Sequence, residues 1–409
     1  MQATSSVRTI EVTEGTPWAT LRVSIEQAAE IAALKIGSIT PLSNGEWRIT
    51  GIRKIGVLRI DDIELRIHPK TQIDGLFYLL ARGNQWGEWF DEDVLLSTAD
   101  SLYPAIAEVF ARWGDRVLRG GVLQGYREQR SAEPFIRGRW LVTEQIGRRF
   151  GMPLPAELAY DEYTTDIAEN QLVRSAARRL LSVGSLPSHV SARLHRIDRR
   201  LANVKPITRG DDLPPVRFDR RNERYRPLIA LARLVLGDES LEYLGGTSSA
   251  SGYLLNVAAV FEDFVAAEVT RHARMFGGEV ISQHVSGLDF AGHVTIKPDL
   301  VWRSGGRVRA VFDAKYKVVK NDAYPNADVY QMLAYCIRHN VPEGHLIYAM
   351  GQPIPQEIAV QSAGVDGSVV RIYGHAVDLS RPPVEIEARM QAIAARALAF
   401  AHTTTSERV

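Results

Sequence analysis

The stretch Ile296 to Lys317, IKPDLVWRSGGRVRAVFDAKYK, decides how the rest of the chain is read. Pro298-Asp299 on one apolar run is followed, after Ser304-Gly305-Gly306, by Asp-x-Lys at Asp313 and Lys315 on a second. Val294 to Trp302 and Arg307 to Lys317 are rich in β-formers, and Arg303 to Gly306 supplies turn residues, so an antiparallel hairpin is predicted. Strand side chains alternate with period two, which puts Asp313 and Lys315 on one face. Asp299 joins them only if the loop holds an odd number of residues or a bulge corrects the register. Val311 and Phe312 mark the second strand as largely buried, where an Asp and a Lys are costly without partners or a metal. Two carboxylates hold a hard divalent cation through oxygen, and a lysine beside them stabilises charge developing on a phosphate. The residue chemistry is that of metal-dependent phosphodiester hydrolysis.

Working outward, Tyr253 to Glu268 carries apolar residues at helical spacing through Leu254, Val257, Phe261, Phe264 and Val265, and predicts a helix. Glu262 lies beside that apolar face, placed to reach a metal directly or through water; a solvated helix carboxylate is the plainer alternative. Asn326 to Arg338 predicts a second helix, with Asp328, Gln331 and Tyr335 at i, i+3 and i+7 along a polar stripe and Val329, Met332, Leu333 and Cys336 as apolar cover. Such a stripe suits substrate phosphate or the site carboxylates, and equally the wet side of an ordinary helix.

Residues 1–72 read as a β-rich amino-terminal region, in which Ser24 and Gln27 have the spacing of a capping box. Residues 73–244 read as mainly helical and arginine-rich, a partner-docking region with an inserted loop or hairpin near 122–140. The small-residue run Gly245 to Gly252 marks a boundary, and 250–400 reads as the metal-site domain. Within it, Gly344 to Met350 and Val369 to Val377 are further strands, Pro383 to Phe400 a closing helix, and Thr403 to Val409 a frayed end.

With 49 Lys and Arg against 48 Asp and Glu, net charge is close to zero, and an apolar fraction of 45% supports real cores. Charge is uneven, however. Residues 111–235 hold 24 Lys and Arg against 14 Asp and Glu, nearly all of the excess being arginine, which suits contact with DNA or an acidic partner surface. Arg174, Arg178, Arg179, Arg193, Arg196, Arg199 and Arg200 recur at helical spacing and read as solvated helix faces, while Arg127, Arg130, Arg137 and Arg139 cluster on the predicted loop or hairpin. The single cysteine, Cys336, excludes a disulfide framework and a cysteine-based metal site, and reads as a small core residue. No basic segment with an apolar core opens the chain and no apolar run is long enough to span a bilayer, so a cytoplasmic protein without membrane contact is expected. The pattern G-x-x-x-x-G-K-[ST] does not occur, so this chain is not expected to bind a nucleotide.

The order Glu262, Pro298-Asp299, Asp313-x-Lys315 and Gln331-x-x-x-Tyr335 resembles the PD-(D/E)xK nucleases of the RecB-like type. Leu254-Leu255-Asn256 leading to Phe261-Glu262-Asp263-Phe264-Val265, the run Asp313 to Lys317, and Asp328-x-Tyr330-Gln331-Met332-Leu333-x-Tyr335 are similar to the McrC family, nuclease subunits of McrBC restriction systems that cut DNA containing modified cytosine. Gly56 to Lys70, Phe135 to Arg139 and Tyr160 to Asn170 are similar to that family's upstream motifs, although Ala258 stands where members often carry Asn. The resemblance implies an α/β chain, α+β as a whole, whose carboxy-terminal PD-(D/E)xK domain has a mixed central sheet flanked by helices. It implies hydrolysis of double-stranded DNA with Mg2+, or alternatively Mn2+, bound by Asp299, Asp313, the backbone carbonyl of Ala314 and Glu262. Lys315 would act on the water or the transition-state charge, with Gln331 and Tyr335 supporting the phosphate or the site. Further implied are a McrB-like AAA+ GTPase hexamer, which directs cutting and is stimulated by this chain, and pairing of nuclease domains for double-strand cleavage. A nuclease of another defence or repair system, or a non-catalytic adaptor of a motor ATPase or GTPase, stays open as an alternative.

Overall fold

The structure, a computed structural model, describes residues 7–70, 73–83, 102–150, 152–184, 186–208, 210–237, 242–243, 250–319, 326–351, 358–361 and 369–406. Contacts divide the chain into two compact units that interleave in sequence: residues 1–10, 56–66 and 101–254 form one, and 11–55, 67–100 and 255–409 the other. The region expected at 250–400 therefore shares its unit with two amino-terminal segments, because elements distant in sequence complete its packing. The expected boundary run falls largely at 244–249, outside the described residues, and the division lies between Leu254 and Leu255. Among the described residues no helix is long and apolar enough to cross a membrane.

The second unit is built on a six-stranded sheet in the spatial order Glu279–Ser282, Leu300–Ser304, Arg307–Val319, Glu343–Gly351, Val369–Ala376, Ile358–Gln361. Its central pairs are parallel and its outer pairs antiparallel, the mixed sheet expected. Helix Asn326–His339 covers one face, setting Met332, Tyr335 and Cys336 against Val301, Val311, Leu346 and Ile372. Burying each large apolar side chain in such a core stabilises the fold by roughly 1.5–3 kcal/mol. The helix comes this close because position 344 is glycine: a Cβ there would lie 2.5 Å from Met332 Sδ and 2.7 Å from Cys336 Sγ. Cys336 is thus the core residue expected, and burial pushes its thiol up to about 12.

The opposite face carries Phe312, His345 and Tyr373 in a row, with neighbouring ring centroids 5.2 and 5.6 Å apart. Helices Val257–Ala273 and Pro383–Ser406 belong to this unit, joined by helix Ile73–Gly83. Glu268, fully buried, ties them by pairing with Arg271 at 3.1 Å and Arg82 at 3.2 Å, while Arg82 also reaches Glu387. The closing helix continues through Ser406 rather than fraying from Thr403, the alanine-rich run around Ala392 to Ala401 being a strong helix former; residues 407–409 lie outside the described set.

One helix boundary differs from the sequence reading. Tyr253 to Asn256 belongs to strand Ala250–Asn256, and the helix starts at Val257. A short apolar run does not distinguish a buried strand from a helix start, and here sheet pairing decides. Gly56 accounts for the close strand approach, since at φ +131° its absent Cβ would otherwise lie 2.0 Å from the Tyr253 carbonyl oxygen. Asn256 then caps the helix, its side chain accepting the N–H groups of Ala258 and Ala259 at 3.1 and 3.4 Å. Earlier in the chain, helix Ile25–Ala33 carries the expected capping box between Ser24 and Gln27.

The first unit holds helices Leu102–Arg119, Ala168–Val183, Ser188–Arg200 and Arg226–Leu236. Near 122–140 the chain forms strand Gly125–Glu133, but its main partner is Ala156–Thr164, a strand within what reads as helical sequence. Tyr160 to Tyr163 lacks clean alternation, and long-range pairing sets its conformation. Many arginines are occupied internally: Arg127 meets Asp166, Arg149 meets Glu157 at 3.1 Å, Arg174 meets Asp198 at 2.8 Å, and Arg193 meets Glu108 at 3.3 Å. Arg174, with a side chain only 13% exposed, is therefore a structural partner and not part of a solvated face.

Candidate active site

Hairpin geometry settles which side Asp299 faces. Gly305 and Gly306, at φ +58° and +75°, close a two-residue turn between Ser304 and Arg307, a backbone that glycine adopts without strain. An even loop alone would send Asp299 to the wrong face. Trp302 faces Ala310 while Arg303 faces Val308, so Arg309 is an extra residue and the register shifts by one. Leu300 then faces Phe312, and Asp299, one position earlier, falls opposite Asp313. Of the two routes open to the sequence, the bulge is the one taken. The Ala314 N–H donates to Asp299 Oδ2 at 2.7 Å and fixes that carboxylate beside the strand.

The centre concentrates charge in a dry place. Asp313 is only 2% exposed, and its Oδ2 lies against the Lys315 ammonium. Burial, then the charge of Asp299, holds the Asp313 carboxyl well above the usual carboxylate range, with Lys315 opposing. Asp299 is raised chiefly by burial, the Ala314 N–H pulling the other way and Glu262 adding to the rise. Glu262, on the first turns of its helix, is raised by burial and next by Asp313, so the three carboxylates sense one another. Burial works against the Lys315 ammonium, yet Asp313, Asp299 and Asp328 together keep its pKa above the ordinary value.

The Asn326–His339 helix contributes three groups. Lys315 Nζ donates to Gln331 Oε1 at 3.0 Å, which orients the ammonium. Tyr335 is buried, and its hydroxyl donates to the Lys297 carbonyl at 3.2 Å, steadying the segment that carries Asp299. Asp328 is buried too, pairing with Lys317 Nζ at 2.6 Å and accepting from the Tyr348 hydroxyl at 2.9 Å. Lys317 was not singled out from sequence, although its spacing of two from Lys315 already puts it on the same face. Behind the strand, Lys70 lies 4.2 Å over the Tyr316 ring and the Tyr316 hydroxyl reaches Glu14 at 3.5 Å. These contacts buttress the Asp-x-Lys strand from its far side.

Among the described residues no three His, Cys, Asp or Glu side chains stand as a ready-made metal-ligand group. The donor set nonetheless fits a magnesium-like ion, which takes one or two carboxylates and completes its octahedron with water and substrate oxygen. Asp313 Oδ2 is buried, with the Lys315 ammonium against it. Carboxylates raised together by burial and mutual repulsion gain most from added positive charge.

A family model described as the McrBC 5-methylcytosine restriction system component matches residues 50–349. Curated proteins return no match. Among solved structures, a chain in the refined half-complex from a tetradecameric assembly of Thermococcus gammatolerans McrB AAA+ hexamers with bound McrC is 18% identical at a TM-score of 0.58, covering 94% of this chain and 98% of that one. A chain in the cryo-EM structure of the Thermococcus gammatolerans McrBC complex is 18% identical at a TM-score of 0.38, with coverage of 64% and 88%. At that identity the first likeness establishes a shared fold.

Proposed function

The chain belongs to the McrBC family of 5-methylcytosine restriction system components, and from that premise we propose that it is the subunit that hydrolyses DNA phosphodiesters. The observation that carries this reading is the bulge-corrected pairing of Asp299 with Asp313 beside Lys315. Asp299 and Asp313 would hold the cation, Mg2+ or alternatively Mn2+, with the Ala314 carbonyl and Glu262 as further oxygens, Glu262 directly or through water. The ion, when bound, polarises the phosphoryl oxygen and lowers the pKa of its water. Lys315, oriented by Gln331, holds the attacking water or steadies the charge that builds on the phosphoryl oxygens. Tyr335 acts on position, because its hydroxyl is engaged by the Lys297 carbonyl.

The similar solved chain comes from McrB AAA+ hexamers with bound McrC, and a McrB-like AAA+ GTPase hexamer is the partner proposed here. The sheet formed by Gly125–Glu133 and Ala156–Thr164, with helix Val142–Arg149, suits docking to it: Tyr126, Ile146, Phe150 and Tyr163 are 75%, 62%, 93% and 60% exposed. Exposed apolar patches of this kind mark interaction surfaces. Asp313→Ala and Lys315→Ala, assayed on methylated duplex with Mg2+ and the partner, should abolish cleavage while assembly and GTPase stimulation persist. Undiminished cutting by both variants would refute the assignment.

A further inference from the structure

Next to the proposed cleavage site the chain displays an aromatic ring with no protein cover. Ser286–Gly287 and Thr295–Ile296 pair as a short antiparallel hairpin, whose second strand leads directly into Lys297, Pro298 and Asp299. Phe290, in the loop between them, is 114% exposed, beyond even the extended-chain reference. The loop is braced along its length. Asp289 accepts the N–H groups of Val294 at 2.7 Å and His293 at 3.2 Å, and the Leu288 N–H donates to the Val294 carbonyl at 2.7 Å. Arg338 donates to the Gly287 carbonyl, and Ser286 Oγ lies 3.4 Å from His339 Nε2. A ring held out on an ordered loop avoids most of the ordering cost of binding.

The surrounding charge selects what it binds. Lys297 and Arg338 are exposed around the hairpin, whereas the carboxylate of Asp289 is turned onto backbone N–H groups and lies 3.5 Å from His293 Nδ1. Cations that engage phosphates, flanking an aromatic side chain that stacks on bases, make the composition of a nucleic-acid contact. Phe290 stands nine positions before Asp299, a reach of at most about 30 Å. That distance is within roughly one turn of duplex.

We propose that the loop 288–293 is a wedge that sets Phe290 against the bases of double-stranded DNA and so positions the neighbouring phosphodiester. Contact of this type unstacks base steps and kinks the duplex toward its major groove. The inference rests on the DNA-cutting function proposed above, and binding is measured separately from cleavage to keep the two apart.

The test uses the full chain with its AAA+ partner, carrying Asp313→Asn so that duplex is not consumed. Methylated duplexes bearing single 2-aminopurines at stepped positions report affinity and unstacking. Phe290→Ala should weaken binding about tenfold and remove the fluorescence rise, Phe290→Trp should keep both, and assembly mass and GTP hydrolysis should not change. Equal affinity and signal in Phe290→Ala, or no duplex binding by the parent complex, overturns the wedge. So does a Phe290→Ala defect in assembly mass with DNA affinity intact, which would give the ring to a protein interface. Binding that depends on Phe290, with no cutting by the complex containing Asp313, instead refutes the nuclease reading and leaves the wedge standing.

Discussion

Acidification should weaken the second unit through one buried pair, His345 and His375. Their Nδ1 and Nε2 atoms lie 3.1 Å apart and their ring centroids 5.4 Å apart, on adjacent parallel strands. Burial, then the neighbouring histidine, holds the pKa of His345 well below its usual value. His375 is lowered to about 3 by burial, with Arg389 and Arg396 adding to it. Both rings are neutral in the folded protein, whereas in the unfolded chain they take up protons below about pH 6.5. The unfolded state therefore binds more protons as pH falls from there toward 3, and stability is lost over that window. Each histidine costs about 1.4 kcal/mol per pH unit, so the pair costs about 4 kcal/mol between pH 6.5 and 5. Raised carboxyls such as Asp313 work in the opposite sense, since the folded state holds their protons more tightly on acidification. Comparison with His375→Gln cancels them, because both proteins retain them. Urea unfolding at pH 7.5 and 5 should show the variant less stable at the higher pH, with the gap closing by about 2 kcal/mol at the lower. A gap that stays constant across this range would refute the reasoning. The effect reaches the site, because His345 is the register partner of Phe312, next to Asp313.

Two further outcomes are expected. Gly344→Ala should cost about 1–3 kcal/mol, read as a lowered thermal midpoint, because its Cβ would displace Met332 and Cys336 and lift the helix bearing Gln331. Lys317, 41% exposed on the face of Asp313 and Lys315, is placed to meet a phosphate, and Lys317→Ala should reduce the slope of log affinity for duplex against log salt by about one; an unchanged slope would show that Lys317 makes no phosphate contact.

Much of the hairpin that carries Asp299 and Asp313 is legible in sequence, because period-two alternation and Gly305-Gly306 are strong local signals. The Arg309 bulge is not: nothing in the local pattern marks Arg309 as the surplus residue, which shows only in the pairing of Trp302 with Ala310 and of Arg303 with Val308. The Gln331 helix shows in its apolar periodicity, yet Asp328 and Lys317 become partners only when strand and helix meet in space. Tyr253 to Leu255 and Ala156 to Thr164 differ from the helical pattern for a common reason, since each is a strand whose partners lie far along the chain and whose own pattern is ambiguous. Local propensity carries no information about such partners. The same holds for the arginines: their number is visible in sequence, but not that Asp166, Glu157 and Asp198 already engage several of them.

The interleaving of the two units has a consequence for the moment of synthesis. Glu14 and Lys70 meet Tyr316, and Arg82 meets Glu268 and Glu387, so early segments are parts of a body whose Asp-x-Lys strand emerges more than two hundred residues later. A ribosome releases those early segments long before these partners exist. A partial translation product consequently has no assembled centre. The clustered carboxylates of Glu262, Asp299 and Asp313 therefore come together with Lys315 only late in synthesis, when nearly all of the chain has been made.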